Sequence, residues 1–261
     1  MEMSEAVIQW ALVLKNLIRK GMNCMKPTII CHMESTVDGR LDITRYSKPF
    51  NGKSLDEVLD IYVQVAEEVG GEATILGRVT LQDFLSLKTF EHNGEPSTKE
   101  RKPFFGKRNG TNTFIVTDPG GKVQYDKDSE YSFVTILSEQ VSDRYLEHLR
   151  DRNVSYLFGG VDGKDINKAM ETLGTDFGFT KLRLEGGGII NGNFLKAGLI
   201  DELSLLVYPG IDGLSGMPAI FEYKSETEEL PAAGQSLELT SVKQLNDGMV
   251  WLYYKFHSIA N

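Results

Sequence analysis

From Lys26 onward the chain alternates short apolar, β-rich runs with segments of helical periodicity, and it closes on two β-rich runs placed back to back. That order admits few architectures. Strands separated by helices pair in parallel and are covered on both faces, whereas consecutive strands joined by a tight turn pair antiparallel. The run Thr28-Ile29-Ile30-Cys31-His32-Met33 is nearly continuous in apolar residues, as a strand buried on both faces requires. Ser54-Leu55-Asp56-Glu57 has the capping-box pattern; Leu55, Val58, Leu59, Tyr62, Val65, Ala66 and Val69 follow at helical spacing, and Gly70-Gly71 ends the segment. Further strands are expected at 73–76, 114–117, 133–137, 154–158, 181–185 and 203–208. Helices are expected around 145–149, from the Asp165 cap through Leu173, and from a Gly186-Gly187-Gly188 turn to near Gly198. The final runs, 237–245 and 249–256, flank Asn246-Asp247-Gly248, a hairpin-type turn. The stretch from Lys88 to Gly110 is polar, basic and glycine-bearing, and predicts a long mobile loop.

The pattern predicts one α/β domain over 26–261, with a mainly parallel central sheet and a C-terminal antiparallel hairpin; no Pro/Ser-rich linker divides it. A net charge of −9 argues against an extended nucleic-acid partner, though a local basic pocket can still hold an anionic cofactor. Cys24 and Cys31 form no C-x-x-C pair, no zinc pattern occurs, and no apolar run is long enough to span a bilayer. A soluble protein of a reducing compartment, the cytoplasm, is the expectation, with no metal and no membrane partner.

Residues 1–25 stand apart. Ala6 to Ile18 reads as an amphipathic helix without the basic start or A-x-A site of a signal peptide. It is expected to be a helical extension docked on the domain or on a second subunit; translation beginning at Met22 or Met25 is the other reading.

Three segments carry chemistry. Glu185-Gly186-Gly187-Gly188-Ile189-Ile190-Asn191-Gly192 sets three glycines between a strand and a helix, where a ligand can approach the backbone and helix amides can bind an anion such as a pyrophosphate. A tight turn needing positive φ explains the same glycines. Leu76-Gly77-Arg78-Val79-Thr80 sits at a second strand-to-helix junction, where Arg78 is suited to a phosphate, including the 2′-phosphate that separates NADPH from NADH; an exposed arginine and a capping threonine are the plain alternative. Thr36-Val37-Asp38-Gly39-Arg40 follows the first strand as a turn whose Thr36 and Asp38 are able to hydrogen-bond a polar heterocycle at the sheet's carboxyl edge.

The order of these segments resembles a known family. Leu184-Glu185-Gly186-Gly187-Gly188, then Asn191-Gly192-Asn193-Phe194-Leu195, Gly198-Leu199-Ile200-Asp201-Glu202-Leu203 and Tyr208-Pro209-Gly210-Ile211-Asp212-Gly213 are similar to the end of the riboflavin-biosynthesis reductase domain, the C-terminal domain of RibD-type proteins. Thr36 to Arg40 is similar to that family's S-x-D-G-[RK], and Leu76 to Thr80 resembles the G-R-x-T shared with dihydrofolate reductases. The resemblance runs from about Pro27 to the C-terminus and implies a dihydrofolate reductase-like three-layer sandwich. It implies an NADPH-dependent reductase, commonly homodimeric, that delivers hydride to a C=N or C=O of a ribosylaminopyrimidine-like substrate. It places Gly186, Gly187 and Gly188 on the cofactor pyrophosphate, with Gly77, Arg78 and Thr80 on its other side and Ser138 at the adenosine portion. Thr36, Asp38 and Glu185 would face the substrate. Asp38 is the candidate acid if burial raises its pKa, with His32 as a weaker one; the Gly198-to-Glu202 segment is expected to be structural.

The chain also departs from the family. The riboflavin enzymes carry D-x-P-x-L-T-x-R after the second strand, with an arginine near the ribose phosphate; here Thr80-Leu81-Gln82-Asp83-Phe84-Leu85 stands instead. The fused zinc deaminase pattern and the Pro-Trp pair of dihydrofolate reductases are both missing from this sequence. A pteridine-, dihydrofolate- or carbonyl-type reductase of the same fold therefore remains a rival reading, as does a nucleotide-binding protein without turnover. A basic loop with Lys99, Arg101, Lys102, Lys107 and Arg108 either covers a substrate phosphate or is simply solvated.

Overall fold

In the computed structural model, which describes residues 26–91, 101–108 and 112–259, the first apolar run becomes strand β1 (Thr28–Thr36), buried at every position after the first. The expected helix within 1–25 lies outside the described residues. Helix α1 (Leu55–Val69) begins on the capping box read from the sequence: Ser54 Oγ accepts from Glu57 N–H, and the Glu57 carboxylate accepts from Ser54 N–H at 2.8 Å. Such a cap contributes about 1 kcal/mol. Gly70, at φ 71°, ends the helix in a conformation that a side chain resists.

The remaining elements are β2 (Ala73–Gly77), α2 (Arg78–Leu85), β3 (Lys88–Thr89), β4 (Thr113–Thr117), β5 (Val123–Gln124), β6 (Ser132–Leu137), α3 (Asp143–Asp151) and β7 (Ser155–Phe158). They are followed by α4 (Ile166–Thr175), β8 (Lys181–Leu184), α5 (Gly188–Lys196), β9 (Glu202–Tyr208), β10 (Gln235–Gln244) and β11 (Val250–Ser258). One nine-stranded sheet runs β10-β11-β9-β1-β8-β2-β4-β6-β7. From β9 to β7 every pairing is parallel; β11 pairs antiparallel with both β9 and β10. Asp247 and Gly248 both take positive φ in the connection between the last two strands, as the Asn-Asp-Gly sequence favours.

Side-chain alternation along the central strands divides the core into two layers. Ile29, Cys31, Ile75, Ile115, Leu182 and Leu184 pack under Ala169, Met170 and Leu173 of α4 and Phe194 of α5. On the opposite face, Ile30, Leu206 and Tyr208 meet Val58, Val65 and Val69 of α1, while Leu76, Val116 and Phe133 meet Leu81 of α2 and Leu149 of α3. The result is the three-layer α/β sandwich expected. Each fully buried aliphatic chain here contributes roughly 1.5–3 kcal/mol, so the double-sided strands anchor the fold. No helix among the described residues is long and apolar enough to cross a membrane.

The 88–110 segment differs from the expected mobile loop wherever it is described. Lys88–Thr89 forms a two-stranded antiparallel ladder with Val123–Gln124, and Phe104 exchanges backbone hydrogen bonds with Tyr156 of β7. Arg101 reaches the backbone carbonyl of Glu139 at 2.9 Å and the Asp143 carboxylate at 2.8 Å. Polar composition suggested solvation, but the apolar Phe104 and the planar Arg101 guanidinium anchor this part of the chain.

Candidate functional site

Because β1, β8, β2 and β4 are parallel, their carboxyl ends share one edge, and a cleft of about 890 Å³ opens there. The size is at the upper end of the range for small-molecule and cofactor sites. At the β2–β4 side its wall is the first turn of α2 with Thr117; at the β1 side it is Met33, Glu34 and the segment Leu41 to Tyr46, with Tyr62 and Val63 of α1 beside them. Pro218 and Glu222, from the long connection after β9, complete the wall near the start of α5.

Two glycine turns build the wall between these sides. Gly77 N–H donates to Gly186 O at 2.9 Å and Glu185 N–H to Ile75 O at 2.9 Å, so the two strand-to-helix junctions are tied directly together. The Gly186–Gly187 peptide is cis. A Cβ on Gly187 would meet nothing within 4 Å, which leaves the backbone open to a close ligand. Helices α2 and α5 start on Gly77 and Gly187 and have no side-chain cap, whereas α1, α3 and α4 are capped by Ser54, Ser142 and Asp165. First-turn amides and the positive ends of two helix dipoles thus face the same cleft, an arrangement suited to anions. Arg78 stands among them, its Nη1 on Gln82 Oε1 at 2.5 Å and its Nε 3.8 Å from the Asp118 carboxylate.

The β1 side has different chemistry. Glu34 is 9% exposed, and neither carboxyl oxygen has a hydrogen-bond partner among the described residues. Burial pushes its pKa up to about 8. Three phenols are close enough to feel its charge, yet each donates elsewhere: Tyr46 to Arg40 O (3.0 Å), Tyr62 to His32 O (3.2 Å) and Tyr208 to Ser47 O (2.7 Å). Glu185, by contrast, is held by Arg183 Nε at 2.6 Å, and the same guanidinium reaches Thr74 Oγ1 at 2.9 Å.

Of the residues singled out from the sequence, Gly77, Arg78, Thr80, Glu185, Gly187 and Gly188 line the cleft, and Gly186 lies in the turn directly behind it. Thr36, Asp38 and Ser138 are not among the lining residues. Thr36 Oγ1 accepts from Arg40 N–H, and Ser138, pressed against Gly163, caps Gln140 N–H at 3.1 Å. Asp38 is exposed and accepts from Asp212 and Gly213 N–H at 3.2 and 2.9 Å. The Thr36 hydroxyl and those amides draw its pKa down to about 2, so the burial required of a proton donor is not met. Instead Asp38, with the Arg45–Asp212 ion pair at 2.6 Å, fastens the connection after β9 beside the cleft. Asp38→Ala is expected to speed hydrogen exchange at the Asp212 and Gly213 amides and to leave exchange in β1 and β8 unchanged. Slow exchange at those two amides in the variant would contradict this anchoring role.

His32 is fully buried, stacks on Tyr62 at 4.4 Å and contacts Ser204 Oγ at 2.9 Å; burial lowers its pKa to about 4, as suits a core histidine. Arg108 covers the Phe179 ring and donates to Phe177 O, so it and Arg101 serve the fold. Lys99 lies outside the described residues. Sequence reasoning missed Glu34, although a lone acid in an apolar strand was its visible signal, and it missed Tyr62 by counting it only as a helix-face residue.

Residues 27–251 match the family model of the RibD C-terminal domain. Among solved structures, a pyrimidine reductase-like protein from Corynebacterium diphtheriae is 17% identical, with TM-score 0.58 over 88% of this chain and 92% of that one. The diaminohydroxyphosphoribosylaminopyrimidine deaminase/5-amino-6-(5-phosphoribosylamino)uracil reductase of Thermotoga maritima is 16% identical, with TM-score 0.53; the match covers 93% of this chain but only 58% of that longer protein. The riboflavin biosynthesis reductase Rib7 of Saccharomyces cerevisiae is 13% identical, with TM-score 0.51 over 93% and 100% of the two chains. At these identities the likeness shows a shared fold.

Proposed function

The chain belongs to the RibD C-terminal domain family, and on that premise we propose that it is an NADPH-dependent reductase that transfers hydride to a C=N or C=O carbon of a small ribosylaminopyrimidine-like heterocycle. The observation that carries this reading is the convergence of two uncapped helix N-termini and Arg78 on a cleft whose other side holds a buried carboxyl. The residues present fit a dinucleotide. The amides that open α2 and α5 are suited to its pyrophosphate, the bare face of Gly187 admits close approach, and Arg78 is oriented by Asp118 and Gln82 to take a further phosphate. When bound, the reduced nicotinamide supplies the hydride.

The protein's own contribution is positioning, exclusion of water and a proton. Met33, Ile189, Ile190 and Tyr62 give the cleft apolar walls that hold a ring and keep water out. Glu34, protonated up to about pH 8, donates to the heteroatom that receives the C=N or C=O electron pair and is then reprotonated from solvent. Glu185, fixed by Arg183, orients polar substrate groups at the floor.

A thermal-shift titration tests the cofactor. NADPH is expected to raise the melting temperature with concentration, well above NADH, and Arg78→Ala should remove most of that difference. Equal shifts with both nucleotides in wild type and variant would reject Arg78 as the discriminating group, and no shift with either would reject the cofactor. A homodimer belongs to the same proposal. It is supported by the exposed Leu237, Leu239 and Val242 on edge strand β10, and light scattering of the purified protein checks it.

A further inference from the structure

A buried chain of hydrogen bonds crosses the sheet and ends on one wall of the cleft. Strand register brings its members together: His32 of β1 lies directly opposite Ser204 of β9, and Ser204 faces Tyr253 of β11, two residues after Trp251. Trp251 Nε1–H, which can only donate, reaches Ser204 Oγ at 2.8 Å. The same oxygen lies 2.9 Å from His32 Nδ1, and His32 Nε2 lies 3.3 Å from the Tyr62 carbonyl oxygen. A carbonyl accepts and never donates, so the imidazole proton belongs on Nε2, and Nδ1 is the acceptor for the single Ser204 proton. Burial lowers the His32 pKa to about 4, so the ring holds only that one proton at neutral pH. His32 and Ser204 are fully buried and Trp251 nearly so. The chain therefore has one direction, from β11 through β9 and β1 to α1.

It closes in a clasp. Tyr62 returns a hydrogen bond from its hydroxyl to the His32 carbonyl oxygen at 3.2 Å, and the two rings stack with centroids 4.4 Å apart and planes 22° from parallel. With its hydroxyl turned to the backbone and one face against the imidazole, Tyr62 offers the cleft aromatic surface rather than a proton. The residue is half-buried on the cleft wall, close enough to the carboxyls of Glu34 and Glu185 to feel both charges. A flat ring fixed in advance gives a planar heterocycle a stacking surface without an ordering cost on binding. We propose that Tyr62 is the platform on which the planar ring of the substrate stacks, and that His32, fixed in its Nε2–H tautomer by Ser204, is the positioning residue that holds it. The inference rests on the reductase reading and assigns two residues within it.

Calorimetric binding of 5-amino-6-(5-phosphoribosylamino)uracil to the full chain, with NADP⁺ present so that no turnover occurs, tests both parts. Tyr62→Leu keeps an apolar side chain but removes the ring, and should weaken probe binding about tenfold; Tyr62→Phe keeps the ring and should stay within about twofold of wild type. Ser204→Ala removes a side chain remote from the ligand, yet should weaken the probe about fivefold by freeing the platform. Added to Tyr62→Leu it should cost nothing further, because the platform it positions is already gone. NADP⁺ affinity, titrated separately, should be the same in every variant; a parallel loss would mark a merely structural role and overturn the positioning. ¹⁵N NMR of histidine-labelled wild-type protein reads the tautomer without any variant, and a proton on His32 Nδ1 would also overturn the positioning, as would additive losses in the double variant. Wild-type affinity retained in Tyr62→Leu overturns the platform, as does failure of the wild type to bind the probe at 1 mM, roughly the weak limit for a specific small ligand. Turnover with NADPH is measured apart. Its absence, with the Tyr62 ordering intact, would sink the reductase reading and leave this inference standing; turnover with unweakened binding in Tyr62→Leu would do the opposite.

Discussion

Glu34→Gln is expected to stabilise the protein increasingly as the pH rises from about 5 to 8, while slowing reduction at neutral pH by roughly a hundredfold. The stability arm follows from linkage. The carboxyl titrates at its ordinary value of 4.5 when the chain is unfolded and is pushed up to about 8 in the cleft, so between those values the native state holds a proton that the unfolded state has released. Stability therefore falls as pH rises through that window and levels off above it. Gln carries no such cost. A carboxyl shifted this far corresponds to at most about 5 kcal/mol, and water entering the cleft reduces it. For a chain of this size that limit is about 10 °C in melting temperature. Asp118 and Asp201, also shifted upward by burial, titrate in both proteins, so the difference between wild type and variant isolates Glu34. Melting curves at pH 5, 6.5, 8 and 9 read it out. A difference independent of pH would mean that Glu34 is ionised in the native state throughout, and the proton-donor role would fall with it.

Much of the scaffold around this residue was legible in the sequence. The unalternating apolar run of β1, the Ser54–Glu57 capping box, the glycine junctions at 77 and 186–188 and the turn at Asn246-Asp247-Gly248 are local signals. Each fixes an element without reference to the rest of the chain. The site was only half legible, for the same reason. Gly77 and Gly187 serve the cleft through backbone exposed at a helix start, and Arg78 through a side chain carried on the same turn, which a short motif reports. Glu34 acquires its character from Tyr46, Tyr62 and Tyr208, three residues from separate segments whose hydroxyls turn to other carbonyls, and no short window contains that information. Asp38 shows the converse. Its turn motif was visible, but the loop it grips lies more than 170 positions further along the chain, so its anchoring role emerged only in the fold.

The glycine-rich motif hides a second function that a packing test will expose. Gly192 lies one helical turn beyond Gly188 on α5, and the backbone of 219–223 presses into the groove the two leave. A Cβ on Gly188 would lie 2.2 Å from Ala219 O, and one on Gly192 only 2.1 Å from Glu222 O and 2.4 Å from its carbonyl carbon. Glu222 N–H also donates to Gly188 O at 2.9 Å, so the segment is bonded where it is seated. Gly192→Ala should gain about 1 kcal/mol of helix propensity. Against this stands a methyl driven into main-chain atoms, an overpacking cost of about 1–3 kcal/mol that grows if the hydrogen bond is lost. The clash wins because backbone cannot rotate away as a flexible side chain can. The net expectation is a loss of about 2 kcal/mol, near 4–8 °C in melting temperature. Since Pro218 and Glu222 form part of the cleft wall, NADPH affinity should weaken in the same variant. A melting temperature equal to or above wild type would mean that the 219–223 segment yields freely, and that something other than this glycine seat holds the wall against α5.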